Sequence, residues 1–584
     1  MNEFRTHNCG ELREKNVGEH VKIAGWIQTT RDLGGVVFID VRDQYGITQA
    51  VISGNDELVD FASKVPNEST VSIEGTVRLR DAETINENIE TGKIEIFIEK
   101  IEVLGKRFRN LPFEINDETK EVREDLRLQY RYLDLRNDRL KNNLILRANI
   151  LQFLRSQMIE QGFLEVQTPV LTSSSPEGAR DYLVPSRVHK GKFYALPQAP
   201  QQFKQLLMVS GIDKYFQIAP CFRDEDARAD RAPGEFYQLD MEMAFSTQED
   251  VFNVIEPVMY NTFTKFSEKK VAEYPFPRIP YREAMEKYGS DKPDLRNPLI
   301  IEDVTDIFQN IEFNAFKGKI VKTITTHNMK ETPRRFFDGI TDFAVSECGA
   351  KGLAWLRVNE DGTLQGPIAK FIDEEHTKEL LERTNTNIGD AIFFIAEKNG
   401  IVQKLAGQIR TELGNRLDLI EKDVFKFCWI VDFPMYELND DGKIDFCHNP
   451  FSMPQGGLKA IEEKEPLDIL AYQYDIVCNG IELSSGAVRN HDPEIMIKAF
   501  EVCGYTKEHI EKKFSALFNA FHYGAPPHAG IAPGVDRMIM LLTDAPSLRE
   551  VIAFPMNSKA QDLLMGAPGE VTEEQLREVH IKLR

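Results

Sequence analysis

Two neighbouring segments decide the fold of this 584-residue chain: Tyr215-Phe-Gln-Ile-Ala-Pro-Cys-Phe-Arg223 and Phe236-Tyr-Gln-Leu-Asp-Met-Glu242. Both are rich in the apolar and aromatic residues that favour β-strands. A charged loop at 224–234 joins them. We interpret the pair as a long hairpin of antiparallel strands and not as the βαβ crossover of a parallel sheet.

Length and composition indicate a soluble protein of several domains. A chain of 584 residues is too long for one core, and 42% hydrophobic with 28% charged residues is typical of globular proteins. The net charge of −22 argues against a protein that binds nucleic acid through its overall charge. An RNA partner would therefore have to bind at a local surface patch. The seven scattered cysteines include no C-x-x-C pair, and neither a signal peptide nor an 18-residue apolar run occurs. We expect a cytoplasmic protein without a membrane partner.

A small β-barrel is predicted within residues 1–106. Five β-rich runs support it, at 20–28, 36–42, 46–52, 70–79 and 93–103. An OB-fold is the commonest nucleic-acid-binding barrel of this size, and an SH3-like barrel without a ligand is the alternative. Arg31, Phe38 and Gln49 lie on the side of the first three strands, the usual binding face. For Phe38, a place in the barrel core is the alternative.

The remaining chain alternates helices and strands. A polar stretch at 107–137 links the barrel to this part. The pattern predicts a helix at 138–161, a strand at 163–169, a helix near 200–210, strands at 425–432, 472–483 and 529–533, and a helix at 534–542. Residues 291–423 have a different, mixed αβ character, which indicates an inserted domain.

Two arginines are the first candidates for chemistry. Arg223 follows a predicted strand, and a fixed guanidinium can bind a phosphate through two hydrogen bonds. The alternative is a structural ion pair with the neighbouring acidic residues. Arg537 lies in the first turn of the last predicted helix, where free N–H groups favour phosphate. Phe236 opens the return strand, so an adenine could stack between it and Arg537.

Two acidic residues, Asp475 and Glu482, are candidate magnesium ligands. They are seven positions apart, and on one uninterrupted strand they would point to opposite faces. A turn or bulge at Asn479-Gly480 would bring both carboxylates together as hard oxygen ligands for Mg²⁺ on ATP phosphates. The alternative is a pair of solvated acids on an edge strand.

Four longer blocks resemble the bacterial aspartyl-tRNA synthetase family, in subclass b of the class II aminoacyl-tRNA synthetases. They span 175–182, 196–205, 221–231 and 526–537, while 125–136 resembles the hinge of the family and 288–294 the entrance to its insertion domain. The resemblance covers essentially the whole chain. It implies a multidomain α/β protein with an OB-fold anticodon-binding domain at 1–106 and a hinge at 107–137. The catalytic domain, an antiparallel sheet flanked by helices, would comprise 138–290 (motifs 1 and 2) and 424–584 (motif 3), around an inserted α+β domain at 291–423.

The same resemblance implies roles for individual residues. The catalytic residues would be Arg223, Glu482 and Arg537. Aspartate would be bound by Glu177, Gln201, Lys204, Arg223, Asp240, His448 and Arg489. ATP would be bound by Arg223, Asp224, Glu225, Phe236, Glu482, Gly534, Val535, Asp536 and Arg537. The metal-side acids would be Asp475 and Glu482, and the tRNA anticodon would be met by Arg31, Phe38 and Gln49.

The implied reaction is the activation of L-aspartate by ATP, followed by transfer of the aspartyl group to the 3′ end of tRNA(Asp). Pyrophosphate leaves in the first step, Mg²⁺ accompanies ATP, and the enzyme is expected to be a homodimer. No protein nucleophile is needed, so catalysis would rest on positioning and charge neutralisation. Whether tRNA(Asn) is also charged stays open; Leu33 lies where family members differ in this respect.

The chain departs from the commonest family pattern at Ala199, Ala232 and Asn449. Three rival functions remain. One is an asparaginyl-tRNA synthetase, against which Lys204, Arg489 and the inserted segment speak. Another is a synthetase-like RNA-binding protein without catalysis, which the loss of Arg223, Glu482 or Arg537 would have favoured. A third is an adenylate-forming ligase that needs no tRNA, although such enzymes usually lack the N-terminal barrel.

Overall fold

The computed structural model describes residues 2–116, 121–174, 179–309, 311, 313–439 and 441–584. The chain divides into two compact units, one of residues 1–126 and 132–141 and one of residues 127–131 and 142–584. In the part of the chain that is described, we find no helix with the length and apolar character needed to span a membrane.

The first unit contains a closed five-stranded barrel. Its strands are β1 (His20–Asp32), β2 (Val36–Arg42), β3 (Ile47–Ser53), β4 (Thr70–Leu79) and β5 (Ile94–Gly105), with helix α1 (Asp56–Ser63) between β3 and β4. The order around the barrel is β1-β2-β3-β5-β4, and only β3 and β5 pair in parallel among these neighbours of the described structure. Alternate side chains such as Val37, Ile39 and Val41 are fully buried inside it. The predicted OB-type barrel is thus confirmed.

The next part of the chain carries the predicted hairpin. Its elements are α2 (Glu124–Gln129), α3 (Arg131–Asp134), α4 (Asp138–Glu160), β6 (Leu164–Glu165), β7 (Leu183–Pro185), β8 (Phe193–Ala195), α5 (Gln201–Val209), β9 (Lys214–Arg223), β10 (Gly234–Ala244), α6 (Gln248–Phe266), β11 (Lys270–Val271), β12 (Arg278–Pro280) and α7 (Tyr281–Tyr288). Strands β9 and β10 pair antiparallel from Lys214 opposite Met243 to Arg223 opposite Gly234. The long hairpin predicted from the opening segments is confirmed.

The inserted segment has a sheet of its own. It comprises β13 (Ile301–Asp303), α8 (Thr305–Gln309), β14 (Ile320–Thr326), α9 (Arg334–Ser346), β15 (Ala354–Val358), β16 (Leu364–Gln365), α10 (Glu374–Arg383), β17 (Ala391–Glu397) and α11 (Ile401–Arg416). The strands form one five-stranded sheet in the order β13-β14-β17-β15-β16, with buried apolar clusters separate from those of the larger sheet. This is the α+β architecture that the sequence predicts for the insertion.

The last part of the chain returns to the larger sheet. It comprises β18 (Val424–Phe425), β19 (Phe427–Val431), β20 (Tyr436–Leu438), β21 (Ile444–Phe446), α12 (Gly457–Glu463), β22 (Gln473–Cys478), β23 (Ile481–Val488), α13 (Pro493–Val502), α14 (Lys507–Lys513), α15 (Ser515–Phe521), β24 (His528–Ile531), α16 (Val535–Leu542) and α17 (Glu573–Glu578).

An eight-stranded sheet forms the centre of the second unit. Its order is β12-β19-β22-β23-β24-β10-β9-β6, antiparallel throughout except for the edge pairs β12–β19 and β6–β9. Helices α4, α6 and α16 contribute buried apolar residues to the same core. Trp429 is fully buried there, stacks on Phe252 at 3.8 Å and donates a hydrogen bond of 2.5 Å to Glu256.

Two sequence predictions need correction. The single strand predicted at 472–483 is a pair, β22 and β23, because Asn479 and Gly480 adopt φ values of 51° and 81° and reverse the chain. The strand predicted at 163–169 is reduced to β6 (Leu164–Glu165), which pairs in parallel with β9. Sequence pattern alone does not reveal how few of those residues find a partner strand.

Candidate active site

A cavity of about 450 Å³ opens over the middle strands of the eight-stranded sheet. Its walls come from β9, β10, β22 and β23, from α5, and from the start of α16. Most predicted site residues line it, namely Gln201, Lys204, Arg223, Glu225, Phe236, Asp240, His448, Asp475, Glu482, Arg489, Gly534, Asp536 and Arg537. Thus three chain regions far apart in sequence meet at one site.

Arg223 lies at one side of the cavity, at the end of β9. Its guanidinium lies 4.9 Å from the centre of the Phe236 ring, and Nε donates a long hydrogen bond of 3.4 Å to the Gln198 carbonyl. Among the described residues, no carboxylate lies within ion-pair distance of it. The structural ion pair considered from the sequence is therefore not seen, and the guanidinium is available to an anionic ligand.

Arg537 is held at the start of α16 by two carbonyl groups. Its Nη1 donates to the Glu482 carbonyl at 2.6 Å and its Nε to the Asp230 carbonyl at 2.9 Å. The carboxylate of Asp230 lies 3.7 Å from Nη2, which is a loose ion pair. These contacts join the hairpin loop, the β22–β23 pair and the last helix around one guanidinium.

The neighbours of Arg537 have structural contacts. Asp536 is buried, accepts a hydrogen bond of 2.9 Å from the backbone N–H of Tyr237 and forms an ion pair with Arg147. Val535 is fully buried in the hydrophobic core and does not line the cavity. A nucleotide contact by either residue stays a prediction.

A buried cluster of four charged side chains lies at the other end of the cavity. Lys204 Nζ lies 2.6 Å from Asp240 Oδ1 and 3.4 Å from Glu242 Oε2. Arg489 donates to both oxygens of Glu242, from Nε at 2.8 Å and from Nη2 at 3.2 Å. All four side chains are at most 2% exposed, and the two positive and two negative charges balance. Burial of unpaired charges would cost several kcal/mol per ion, which explains the pairing.

The two acids of this cluster have opposite pKa shifts. Burial raises the pKa of Asp240 above its usual range, and Lys204 offsets this only in part. Burial also acts on Glu242, but Arg489 and Lys204 together outweigh it and hold the pKa below its usual range. Of the two acids, Glu242 therefore keeps its negative charge to the lower pH.

Several buried polar atoms in the cavity have no hydrogen-bond partner among the described residues. They are Gln201 Nε2, Asp240 Oδ2, Asp475 Oδ1 and Ser484 Oγ. Such atoms are costly unless a ligand satisfies them. Because they include both donors and acceptors, the cavity fits a ligand that itself offers hydrogen-bond donors and acceptors, such as a free amino acid.

The turn at Asn479-Gly480 brings Asp475 and Glu482 to the same cavity, as the sequence required for a metal site. A bulge in the β22–β23 pairing follows Ile476 and adjusts the alternation of the side chains. Burial and the neighbouring Glu482 raise the pKa of Asp475 well above its usual range. Two convergent carboxylates with an unsatisfied oxygen fit a hard divalent cation, although no cluster of three such ligands occurs in the described part of the chain.

The other predicted site residues are placed as follows. His448 lines the cavity beside Phe433, with the ring centres 5.1 Å apart. Asp224 does not line it, because its backbone pairs with that of Arg180. Glu177 lies outside the described residues. The three departures from the family pattern, Ala199, Ala232 and Asn449, all line the cavity.

Sequence reasoning missed two residues of this site. Glu242 follows Asp240 by two positions on β10, and strand alternation alone would have put both on the same face. Lys292 lies in a loop whose place over the sheet depends on the fold of the inserted segment. Only the structure reveals it.

The three barrel residues predicted to meet RNA lie together on the outside of β1–β3. Arg31 Nη2 donates to Gln49 Oε1 at 2.9 Å, and its guanidinium lies 5.8 Å from the centre of the Phe38 ring. Gln49 Nε2 in turn donates to Glu95 at 2.8 Å. Phe38 is half-buried outside the core that Val37 and Ile39 occupy, so the core alternative for Phe38 is wrong.

Comparison with known proteins agrees with this geometry. A family model described as "tRNA synthetases class II (D, K and N)" matches residues 123–558, and one described as "OB-fold nucleic acid binding domain" matches residues 21–104. The chain is 57% identical to an aspartate–tRNA ligase of Streptomyces coelicolor, covering 100% of this chain and 99% of the relative. It is also 57% identical to an aspartate–tRNA(Asp/Asn) ligase of Rickettsia bellii, covering 100% and 98%.

Solved structures share the fold. An asparaginyl-tRNA synthetase from Pyrococcus horikoshii, complexed with asparaginyl-adenylate, is similar with a TM-score of 0.59 and 19% identity, covering 94% of this chain and 97% of that one. A putative aspartyl-tRNA synthetase from Leishmania major is similar with a TM-score of 0.58 and 21% identity, covering 93% and 92%. With the cavity, the sheet and the barrel in place, these matches establish that the chain belongs to the class II tRNA synthetases of the D, K and N group.

Proposed function

We propose that this chain is an aspartate–tRNA ligase, which activates L-aspartate with ATP and transfers it to the 3′ end of tRNA(Asp). The observation that carries the proposal is the buried cluster of Lys204, Arg489, Asp240 and Glu242 at the end of a cavity that also holds Arg223 and Arg537. Relatives that are 57% identical over their whole length carry the name of this activity.

The cluster fits an acidic amino acid better than its amide. A substrate ammonium can bind Asp240 Oδ2, which has no partner among the described residues. Lys204 would then also pair with the side-chain carboxylate of the substrate, and Arg489 would lie next to that carboxylate. Neutral asparagine would bring only its ammonium into this charge-balanced cluster and would leave one buried positive charge uncompensated, which costs far more than a lost surface contact.

The arginines fit the other substrate. Arg223 and Arg537 provide positive charge where the aspartate carboxylate attacks the α-phosphorus of ATP and pyrophosphate leaves. The adenine is proposed to stack on Phe236. Asp475 and Glu482 would hold Mg²⁺, which neutralises phosphate charge when it accompanies ATP. The chain itself contributes positioning and electrostatic stabilisation, and no residue needs to form a covalent bond.

We propose that the tRNA binds the barrel through Arg31, Phe38 and Gln49. These residues provide a cation, a stacking group and an amide, a combination that suits single-stranded RNA. Relatives with and without tRNA(Asn) in their names are equally identical to this chain, so identity does not choose between the two substrate ranges. Leu33 is 72% exposed beside this surface, in the connection between β1 and β2.

The test of the tRNA assignment is aminoacylation of purified tRNA(Asp) and tRNA(Asn) with labelled aspartate. The proposal requires efficient charging of tRNA(Asp). Charging of neither tRNA, while ATP is consumed with aspartate, would contradict it and favour an adenylate-forming ligase. Comparable charging of both would extend the substrate range to tRNA(Asn).

We also propose a homodimer built at the free edge of the large sheet. Strand β6 is the outermost strand there, and the apolar side chains of Ile159, Leu164, Val170 and Leu171 are all more than 40% exposed around it. An exposed strand edge with apolar neighbours favours association with a second copy. Light scattering that gives the mass of one chain at micromolar concentration would contradict the dimer.

A further inference from the structure

Lys292 is a further cation of the cavity, beside Arg223 and Arg537, and the sequence motifs do not assign it a role. Its Nζ lies 2.7 Å from Glu482 Oε2, while the carbonyl of the same Glu482 accepts the hydrogen bond from Arg537. Glu482 therefore contacts both cations, Lys292 through its side-chain carboxylate and Arg537 through its backbone carbonyl. Asp291 and Asp475 also line this part of the cavity. The side chain of Lys292 is 40% exposed, so its ammonium can turn from Glu482 towards a ligand in the cavity.

The inserted segment fixes the loop that carries Lys292. Gly289 ends α7 and lies so close to Gly407 of α11 that a Cβ on Gly407 would approach the Gly289 carbonyl oxygen to 2.4 Å. The buried Arg410 of α11 donates hydrogen bonds to the carbonyls of Asp294, Asn297 and Leu299, at 3.1, 2.7 and 2.6 Å. The loop at 290–299 is thus tied to a helix of the insertion by backbone contact and by one guanidinium.

The other side of the loop rests on the catalytic sheet. A Cβ on Gly480 would lie 3.2 Å from the Asp294 side chain, so the turn between β22 and β23 packs directly against the loop. Asp294 itself is fixed by Arg296, with contacts of 3.0 and 2.8 Å. Because Glu482 follows this turn by two residues, the packing sets the distance between Lys292 and the acidic pair.

We propose that Lys292 is a substrate-contacting residue of the first reaction step, which moves from Glu482 to the β- and γ-phosphates of ATP and to the leaving pyrophosphate. The inference rests on the proposed function, since it assumes that ATP occupies the cavity. Before ATP binds, the ammonium of Lys292 compensates the charge of Glu482. When ATP binds, this ammonium would pair with the phosphates instead. The carboxylates of Asp475 and Glu482 would then be free to hold the cation that accompanies ATP. On this account the insertion contributes to catalysis by holding the loop of Lys292.

The test compares Lys292→Met, which removes the charge and keeps the length, with Lys292→Arg, which restores a charge. Lys287→Met is the matched control, because Lys287 is an exposed lysine five residues away that pairs with Glu283. Aspartate-dependent ATP–pyrophosphate exchange is measured at varied ATP, pyrophosphate and aspartate, and binding of magnesium pyrophosphate alone is measured by calorimetry.

Lys292→Met is expected to raise the KM for ATP and for pyrophosphate at least about 10-fold and to weaken pyrophosphate binding similarly, with the aspartate KM changed by less than about 3-fold. Lys292→Arg should recover part of the loss. The inference would be overturned if Lys292→Met had the same KM for ATP and pyrophosphate as Lys287→Met, or bound ATP more tightly. An equal rise in the KM for aspartate would also overturn it. An absence of exchange by the unchanged protein with aspartate would instead overturn the proposed function.

Discussion

At the scale of single residues, the amino-acid end of the cavity is governed by charge balance. Lys204 and Arg489 share Glu242, and Asp240 keeps one oxygen unused. The ammonium and the side-chain carboxylate of aspartate add one charge of each sign, so the cluster stays neutral when the substrate binds. A substrate without the carboxylate adds only the positive charge, which is unfavourable in a site this deeply buried.

Replacement of Lys204 by alanine should therefore act on aspartate binding. We expect the aspartate KM to rise at least about 100-fold while the ATP KM changes less than about 3-fold, because only one end of the cavity loses its charge. The free energy of unfolding should also fall by about 3–5 kcal/mol, since Asp240 and Glu242 lose a buried partner. Steady-state exchange kinetics and urea unfolding measure the two effects.

The control is Lys459→Ala, which removes an exposed lysine 3.8 Å from Glu463 and should change neither quantity. An ATP KM that rises as much as the aspartate KM in Lys204→Ala would disprove the assignment of this lysine to the amino-acid end.

Arg223 gives the complementary prediction for the nucleotide end. Arg223→Ala should reduce aspartate-dependent pyrophosphate exchange about 100- to 1,000-fold, because a positioned donor to the developing phosphate charge is lost. The fold should remain, since the guanidinium makes only a long hydrogen bond and a ring contact within the described structure. If Arg223→Ala exchanged pyrophosphate at nearly the rate of the unchanged protein, with the same thermal unfolding curve, the role given to this arginine would be disproved.

His528 predicts a pH dependence of stability. The ring is fully buried between the Pro526 carbonyl, 2.8 Å from Nδ1, and the Gln205 amide, 3.1 Å from Nε2. Burial lowers the pKa of His528 to about 4 from its ordinary value of 6.5. Between these pH values the unfolded chain binds a proton that the folded chain does not, so stability is present above pH 6.5 and is lost as the pH falls towards 4.

From pH 7.5 to pH 5 this linkage removes about 2 kcal/mol from the free energy of unfolding. His528→Asn should lack this component, so the difference between the two profiles isolates it from the titration of buried carboxylates. If chemical denaturation gave the same pH dependence of the free energy of unfolding for both proteins, the attribution of this dependence to His528 would be refuted.

Most of the site residues that the sequence predicts line the cavity, because the family motifs name them one by one. Strand alternation places Glu242 on the same face as Asp240, so its position can be predicted from the sequence. Lys292 was not accessible, because it reaches Glu482 only through tertiary contacts of the insertion. Motifs identify residues that act within an element, whereas contacts between distant segments need the folded chain.

At the scale of secondary-structure elements, close backbone packing holds the charge cluster in place. Strand β24 pairs with β10 so closely that a Cβ on Gly530 would approach Glu242 Oε2 to 2.1 Å and the Met241 carbonyl oxygen to 2.3 Å. Glycine at this position is thus a packing requirement of the site. The hairpin of β9 and β10 was predictable from its two apolar segments, while the division of 472–483 into two strands depended on the left-handed Asn479.

Gly530→Ala should therefore destabilise the protein and disturb the amino-acid end at the same time. We expect a loss of about 1–3 kcal/mol in the free energy of unfolding, the usual cost of overpacking, together with a raised aspartate KM. Gly352→Ala is the control, because a Cβ there meets no heavy atom within 4 Å. If both variants had the same stability and aspartate KM, the packing account of Gly530 would be wrong.

At the scale of the whole molecule, each unit carries one part of the proposed reaction. The barrel carries Arg31, Phe38 and Gln49, which we propose to bind RNA, and the large sheet carries the cavity that we propose for ATP and aspartate. The inserted sheet has no site among the predicted residues, yet α11 holds the loop of Lys292. Segment composition was enough to predict the barrel and the insertion, but the contribution of the insertion to the cavity required the structure.

The central claim is that this cavity activates aspartate, and amino-acid-dependent ATP–pyrophosphate exchange tests it most directly. With L-aspartate, L-asparagine and L-lysine supplied separately at equal concentration, we expect exchange with aspartate and at least about 1,000-fold less with asparagine, because a neutral side chain leaves one buried positive charge uncompensated. Exchange with asparagine or lysine that equals or exceeds exchange with aspartate would contradict the account.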